Sequence, residues 1–372
     1  MNAPIDPDRF PIPDYIAAIA PYVGGKPISE VAREYGLDEN SIVKLASNEN
    51  PLGMPPAAQR AIDAALREVG RYPDGNGYEL KQALSAKYDV PLDWLTLGNG
   101  SNDILELAAR VFLAPGKSAV FSQFSFIVYP LATQAAGARS IVVPATQVLG
   151  HDLAAMHAAI EADTQVVFLA NPNNPTGTFL PAAQIENFIA SISPRVIVVL
   201  DEAYNEYLPS HLRFDSVAWV RRYPNLIISR TFSKAYGLAG MRVGFAIAQP
   251  VVTDVLNRIR QPFNVNCLAQ AAAVAALADT AFVERSAAIN AAGYRQLTTA
   301  FDALDLPYIE SFGNFVLVRV GDAARINLEL LRRGIIVRPV ANYGLPEWLR
   351  ITIGLEHENR AFLDALGAAL NA

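Results

Sequence analysis

The sequence predicts an α/β protein: a large unit built on a mainly parallel seven-stranded sheet covered by helices, followed by a smaller α+β unit. Three observations predict it. Seven short apolar runs lie at 94–97, 119–122, 140–143, 166–170, 196–200, 226–229 and 243–248, with helical stretches such as 102–112 and 181–191 between them. In each run apolar residues occupy adjacent positions rather than alternate ones, and the runs alternate with helices, as expected of strands covered on both faces. The pattern then changes. Residues 264–304 read as one long helical connector, and a mixture of strands and helices follows. The 372 residues suffice for two or three packed units.

Taken in order, the chain opens with an extended arm rich in proline and reaches a short helix near 28–35. Residues 1–45 are expected to pack with the small unit, 46–263 to form the large one, and 264–372 to supply the connector and the small one. Ser47-Asn48-Glu49-Asn50-Pro51-Leu52-Gly53 is dense in turn formers, and a helix over 56–69 follows. A second loop, Arg71-Tyr72-Pro73-Asp74-Gly75, precedes a helix ending at Tyr88. The last two strands of the large unit lie close together, which permits an antiparallel member. Beyond the connector, strands are expected at 315–320, 335–338 and 349–353, with a helix ending at Arg333 and another at the C-terminus.

Composition narrows the function. Apolar residues make up 52% and charged residues 18%, so the chain is expected to fold. A net charge of −6 argues against a general nucleic-acid binder. The single cysteine, Cys267, permits no intrachain disulfide and no cysteine-based zinc cluster, and points to a cytoplasmic home. Residues 1–10 lack the apolar core of a signal peptide, and no apolar run reaches membrane-spanning length, so no membrane partner is expected.

The chemistry collects where strands end. After the run at 226–229 comes Arg230-Thr231-Phe232-Ser233-Lys234-Ala235-Tyr236-Gly237, with Arg242 eight residues beyond Lys234. Ligands of open α/β sheets bind at such strand ends. A lysine there can form a Schiff base with a carbonyl compound. Thr231, Ser233 and Arg242 can surround a phosphate through hydroxyl groups and a guanidinium fork. An aldehyde bearing a phosphate suggests pyridoxal phosphate. Gly98-Asn99-Gly100-Ser101-Asn102 sits where a strand hands over to a helix, so the backbone N–H groups there can hold an anion. Asn171-Pro172-Asn173-Asn174-Pro175-Thr176-Gly177 forms a rigid turn from which Asn174 can donate to a ligand. Asp201 ends the run at 196–200, where a carboxylate is costly unless paired; a protonated pyridine nitrogen is such a partner. Tyr204 follows within reach of the same ring. Taken singly, each of these stretches also reads as an ordinary turn or helix cap.

Their order and spacing are more specific. With Leu45 to Gly53, Arg71-Tyr72-Pro73-Asp74 and Leu349-Arg350-Ile351-Thr352-Ile353-Gly354, these stretches resemble the fold-type I pyridoxal phosphate aminotransferases over essentially the whole chain, and specifically the histidinol-phosphate aminotransferase group. The resemblance implies that Lys234 is the Schiff-base lysine and proton shuttle, and that Asp201 is the pyridinium partner. It implies that Asn174 and Tyr204 meet the ring oxygen, and that Gly100, Ser101, Asn102, Thr231, Ser233 and Arg242 cradle the phosphate. Phe124 falls where the family stacks a tyrosine on the ring. Tyr72 matches a tyrosine reaching the neighbouring subunit's cofactor, which implies a homodimer. Tyr22, Asn50, Arg338 and Arg350 match substrate-holding residues. The implied reaction exchanges an amino group between L-glutamate and imidazole acetol phosphate. An aromatic aminotransferase, favoured by the aromatic stretch Phe124 to Tyr129, and a threonine-phosphate decarboxylase-like lyase stand as alternatives. Intact Lys234 argues against a regulator that keeps the cofactor without catalysis.

Overall fold

The computed structural model describes residues 11–21 and 24–372. Its strands, in chain order, are β1 (Val43–Lys44), β2 (Leu95–Gly98), β3 (Ser118–Ser122), β4 (Arg139–Val143), β5 (Thr164–Ala170), β6 (Ile197–Asp201) and β7 (Leu226–Thr231). They continue with β8 (Gly244–Ile247), β9 (Tyr308–Ile309), β10 (Phe315–Arg319), β11 (Ile335–Ile336), β12 (Arg338–Val340) and β13 (Leu345–Thr352).

All seven apolar runs of the first two-thirds of the chain join one seven-stranded sheet, ordered β2-β8-β7-β6-β5-β3-β4. The pairs β7–β6, β6–β5, β5–β3 and β3–β4 are parallel, whereas β8 runs antiparallel to both its neighbours. The strands β2, β6, β7 and β8 are buried along their whole length, because apolar clusters cover both faces of the sheet. The parallel strands all point their C-terminal ends to one edge. From β3 the chain turns outward to β4 and then back past β3 to β5, so the crevice at that edge is a topological switch point, where ligands bind in open α/β sheets.

A four-stranded antiparallel sheet, β12-β13-β10-β9, forms a second layer system. Helices Ala323–Arg332 and Glu356–Leu370 and the long helix Thr280–Ala303 lend it the apolar residues Ile326, Leu330, Phe362, Leu297 and Phe301. The residues before the large sheet reach this region directly. β1 pairs in parallel with β11, Val43 opposite Ile335, and helix Ile28–Tyr35 packs beside Ala323–Arg332.

Two expectations are corrected here. The 264–304 connector is two helices, Cys267–Ala278 and Thr280–Ala303, bent by 78°. Asp279 sits at the joint and accepts from Phe282 N–H at 3.1 Å, capping the second helix as it ends the first. The run 335–338 divides between two sheets: Ile335 and Ile336 pair with β1, while Arg338 pairs with β13. Among the described residues no single helix is long and apolar enough to cross a membrane. The alanine-rich helix Cys267–Ala278 buries Ala269, Ala272, Ala273 and Ala276, and the small side chains let helix Pro56–Ala65 approach it closely.

Candidate active site

One cavity of about 290 Å³ lies at the C-terminal edge of the large sheet, under the hairpin of the small one. Five of the parallel strands deliver residues to it: β2 through Ser101 and Asn102, β3 through Phe126, β5 through Asn174, β6 through Asp201, and β7 through Thr231, Ser233 and Lys234.

The floor is Asp201, the last residue of β6 and 5% exposed. Its Oδ2 accepts a hydrogen bond from Tyr129 Oη at 3.0 Å, while Oδ1 is buried with no partner. Burial pushes its carboxyl up to about 6, against the pull of Tyr129, the Ala203 N–H and Lys234. An orphaned buried carboxylate oxygen is the structure's clearest request for a donor, and a ring N–H is one.

Lys234 stands on the loop that follows β7, its Nζ donating to the Ser47 carbonyl at 3.2 Å. Desolvation, with the cations of Arg350 and Arg242 nearby, pushes its ammonium down to about 8. A substantial neutral fraction near physiological pH is what an amine nucleophile or base requires.

Beside it, Thr231 Oγ1 donates to Ser233 Oγ at 3.0 Å, Ser233 N–H returns to Thr231 Oγ1 at 3.1 Å, and Arg242 Nη1 donates to Ser233 Oγ at 3.2 Å. Arg242 takes a left-handed backbone conformation (φ 58°), uncommon for a residue with a side chain. Two glycines let the groups converge. A Cβ on Gly100 would lie 2.5 Å from Arg242 Nη2, and one on Gly244 would lie 2.5 Å from the Ser101 nitrogen. Helix Ser101–Phe112 starts here without a side-chain cap, its first N–H groups open to an anion. Asp103 is turned away: it accepts from Asn99 N–H and from Asn264.

The upper wall carries charge. Arg350 on β13 is 7% exposed; it donates to Asn174 Oδ1 at 2.6 Å and to the Ala46 carbonyl at 2.9 Å. With Oδ1 so engaged, the amide NH₂ of Asn174 is the end that can donate to a ligand. Arg338 on β12 is the cross-strand partner of Arg350 and lines the same cavity, as does Tyr343 on the turn joining the two strands. Tyr204 Oη accepts from Asn48 at 2.9 Å, and burial pushes its phenol up to about 12.

Several expected residues are elsewhere. Phe124 packs against Leu317, Val340 and Leu345, and its carbonyl accepts from Asn173; Phe126 is the ring on the cavity wall. The loop after β3 carries both rings two positions apart, and only the fold decides which one faces in. Asn50 is fully engaged behind the site, donating to the Ala235 carbonyl at 3.0 Å and Ser286 Oγ at 2.8 Å and accepting from Leu52 N–H. It braces the lysine loop instead of lining the cavity. Tyr72 is 82% exposed, stacks on Phe263 at 4.7 Å, and does not line its own chain's cavity. Tyr22 lies outside the described residues. Sequence reasoning missed Asn48, Phe126, Tyr129 and Tyr343. Asn48 lies in the turn-rich stretch Ser47 to Gly53, and Phe126 and Tyr129 lie in the aromatic stretch Phe124 to Tyr129, where nothing local singles them out.

Lys234, Arg242, Arg338 and Arg350 thus surround one cavity in a chain of net charge −6, opposite a carboxylate at the floor. That set fits an anionic, phosphate-bearing aldehyde with a basic ring nitrogen. The family model described as Aminotransferase class I and II matches residues 40–366. Histidinol-phosphate aminotransferase 1 of Cupriavidus pinatubonensis is 67% identical over 362 residues, covering 96% of each chain. Histidinol-phosphate aminotransferase 2 of Ralstonia nicotianae is 65% identical with the same coverage. Among solved structures, histidinol-phosphate aminotransferase from Sinorhizobium meliloti in complex with pyridoxal-5'-phosphate superposes with a TM-score of 0.88 at 29% identity, over 96% of both chains. A match that spans this much of the sequence, on a fold whose strand ends carry this set of groups, has one reading: the chain belongs to the class I and II aminotransferases.

Proposed function

We propose that this enzyme is a pyridoxal phosphate-dependent aminotransferase of histidine biosynthesis, exchanging an amino group between L-histidinol phosphate and 2-oxoglutarate to give imidazole acetol phosphate and L-glutamate. Identities of 55–67% to relatives named histidinol-phosphate aminotransferase are the observation that carries the substrate. The site supports it physically. Arg338 and Arg350 are cross-strand partners on β12 and β13, and both line the cavity, which places two guanidinium groups at its upper wall. A phosphate dianion meets both.

Bound in the cavity, pyridoxal phosphate supplies an aldehyde carbon that exchanges amines and a ring that withdraws electrons from the substrate α-carbon. Thr231, Ser233, Arg242 and the helix start at Ser101 would hold its phosphate. Asp201 would keep the ring nitrogen protonated, Asn174 and Tyr204 would donate to the ring oxygen, and Phe126 would lie against the ring. Lys234 Nζ, whose pKa is depressed to about 8 so that part of it is neutral, would take and hold the α-proton. Arg350 binds the α-carboxylate of glutamate and, with Arg338, the phosphate of histidinol phosphate.

The same reading divides the chain into 1–45 as an arm, 46–263 as the cofactor-binding domain and 264–372 as the connector and small domain. It includes a homodimer in the cytoplasm, with Tyr72 reaching the partner's cofactor phosphate. The exposed aromatic pair Tyr72 and Phe263, with Leu66, Val69 and Tyr78 also exposed, supports a covered face there. An amino-donor panel with 2-oxoglutarate tests the substrate: histidinol phosphate, phenylalanine, tyrosine and threonine phosphate. The highest kcat/KM is expected for histidinol phosphate. Preference for phenylalanine moves the reading to an aromatic aminotransferase, and carbon dioxide release from threonine phosphate moves it to a decarboxylase.

A further inference from the structure

We propose that Tyr129 is a positioning residue for Asp201: its hydroxyl pins one carboxylate oxygen and so leaves the other, Oδ1, as the oxygen that pairs with the cofactor's ring nitrogen. The proposal rests on the cofactor reading above.

The geometry makes the hydroxyl a device rather than a by-product of packing. Tyr129 is fully buried, in the first turn of helix Val128–Ala135. Its ring stacks on Phe168 at 4.8 Å and 7°, meets Phe126 edge-on at 6.0 Å, and tilts against Phe121 at 6.4 Å. Three aromatic neighbours fix the ring, and phenylalanine would fill the same space. The only polar atom of the side chain is spent on Asp201 Oδ2 at 3.0 Å. The neighbouring oxygen has no partner. A carboxylate with one oxygen fixed and one free has a defined direction, and the direction is what a ring nitrogen needs.

The hydroxyl also favours the ionised carboxylate, because it donates to it. The other groups facing Asp201 are Lys234 and the Ala203 N–H, which act the same way, and Glu202, which opposes them. Tyr204 and Tyr343 face Tyr129 itself. Burial and the adjacent carboxylate hold the Tyr129 phenol well above its usual range, so it stays a donor wherever Asp201 titrates. The short segment from Phe126 to Tyr129 therefore carries both the ring wall and the holder of the floor carboxylate.

The test is a double-mutant cycle read by cofactor binding, not turnover. Apoenzyme is titrated with pyridoxal phosphate by absorbance at pH 6 and pH 8.5 for wild type, Tyr129→Phe, Asp201→Asn and the double variant. Tyr129→Phe is expected to raise Kd about tenfold, more at pH 6 than at pH 8.5, since loss of the donor raises the proton affinity of Asp201. In the Asp201→Asn background the same change is expected to alter Kd less than about twofold. Equal weakening in both backgrounds means general damage to the core and overturns the proposal, as does an unchanged Kd in Tyr129→Phe alone. Wild-type protein that binds no pyridoxal phosphate removes the cofactor reading, and this proposal with it.

Discussion

At the scale of single residues, Asp201 carries the sharpest conflict between stability and function. Its carboxyl is raised to about 6 in the folded chain, against an ordinary value near 4. With a raised folded pKa, the folded state holds the extra proton between those values. The stabilisation from that proton is full below about pH 4 and lost as pH rises through about 6. The apoenzyme at pH 7.5 therefore bears a buried, half-satisfied charge. Asp201→Asn is expected to stabilise the apoenzyme at pH 7.5 by about 1–3 kcal/mol, with the gain shrinking towards pH 4. Thermal unfolding across that range checks it; a gain that does not depend on pH would refute the cause given. The same variant, loaded with cofactor, is expected to lose turnover by about 10²–10³, the usual effect of deleting one electrostatic contact to developing charge. Legibility in the sequence divides along similar lines. Asp201 could be singled out because a carboxylate at the end of an apolar run has few ordinary explanations, whereas Arg350, inside β13, carries no such mark and was reached only through the resemblance. Phe124 and Phe126 were not separable, since both are large, apolar and on one loop. Asn48 and Asn50 are likewise not separable in sequence, because two asparagines in one turn look alike until the backbone sends one into the cavity and the other behind it.

At the scale of elements, the pair β12 and β13 does more than complete a sheet. It sets Arg338 opposite Arg350 and hangs Tyr343 from the turn between them. The second arginine is proposed to serve the phosphate more than the carboxylate. Arg338→Gln is thus expected to lower kcat/KM for histidinol phosphate by about 10- to 150-fold, the effect of one charged hydrogen bond. Glutamate is expected to suffer less. Equal losses for both donors in steady-state assays would contradict that division of labour. The large sheet was legible in the sequence because its strands are buried on both faces and so appear as uninterrupted apolar runs. The antiparallel course of β8 was only permitted by its short spacing from β7. The break at Val337 was not legible, because β11 and β12 are each too short to carry a pattern and their partners lie far away in the chain.

At the scale of the whole molecule, the exposed stack of Tyr72 on Phe263 has no use to its own cavity. If each subunit lends Tyr72 to its partner, Tyr72→Phe and Lys234→Ala lesions fall in different sites of a mixed dimer. If both parents are sufficiently impaired, mixing them is expected to restore up to one wild-type site in each heterodimer, and activity above either parent alone. A monomer by light scattering at assay concentration would refute the arrangement. Closed two-fold dimers are the commonest oligomers, but nothing in a single sequence displays a shared site.

The pairing of β1 with β11 also sets an order in time. Val43 and Ile335 are roughly 300 residues apart, and the amides of Val43 and Leu45 bond to the carbonyls of Gly334 and Ile336. At about 5–20 residues per second, β1 waits on the order of 15–60 s after its own synthesis for its partner. Throughout that interval the residues that become the cavity rim, Ala46 to Glu49, hang from an unpaired strand. The pocket's lower half can assemble during synthesis, but its rim closes only after β11 has been made.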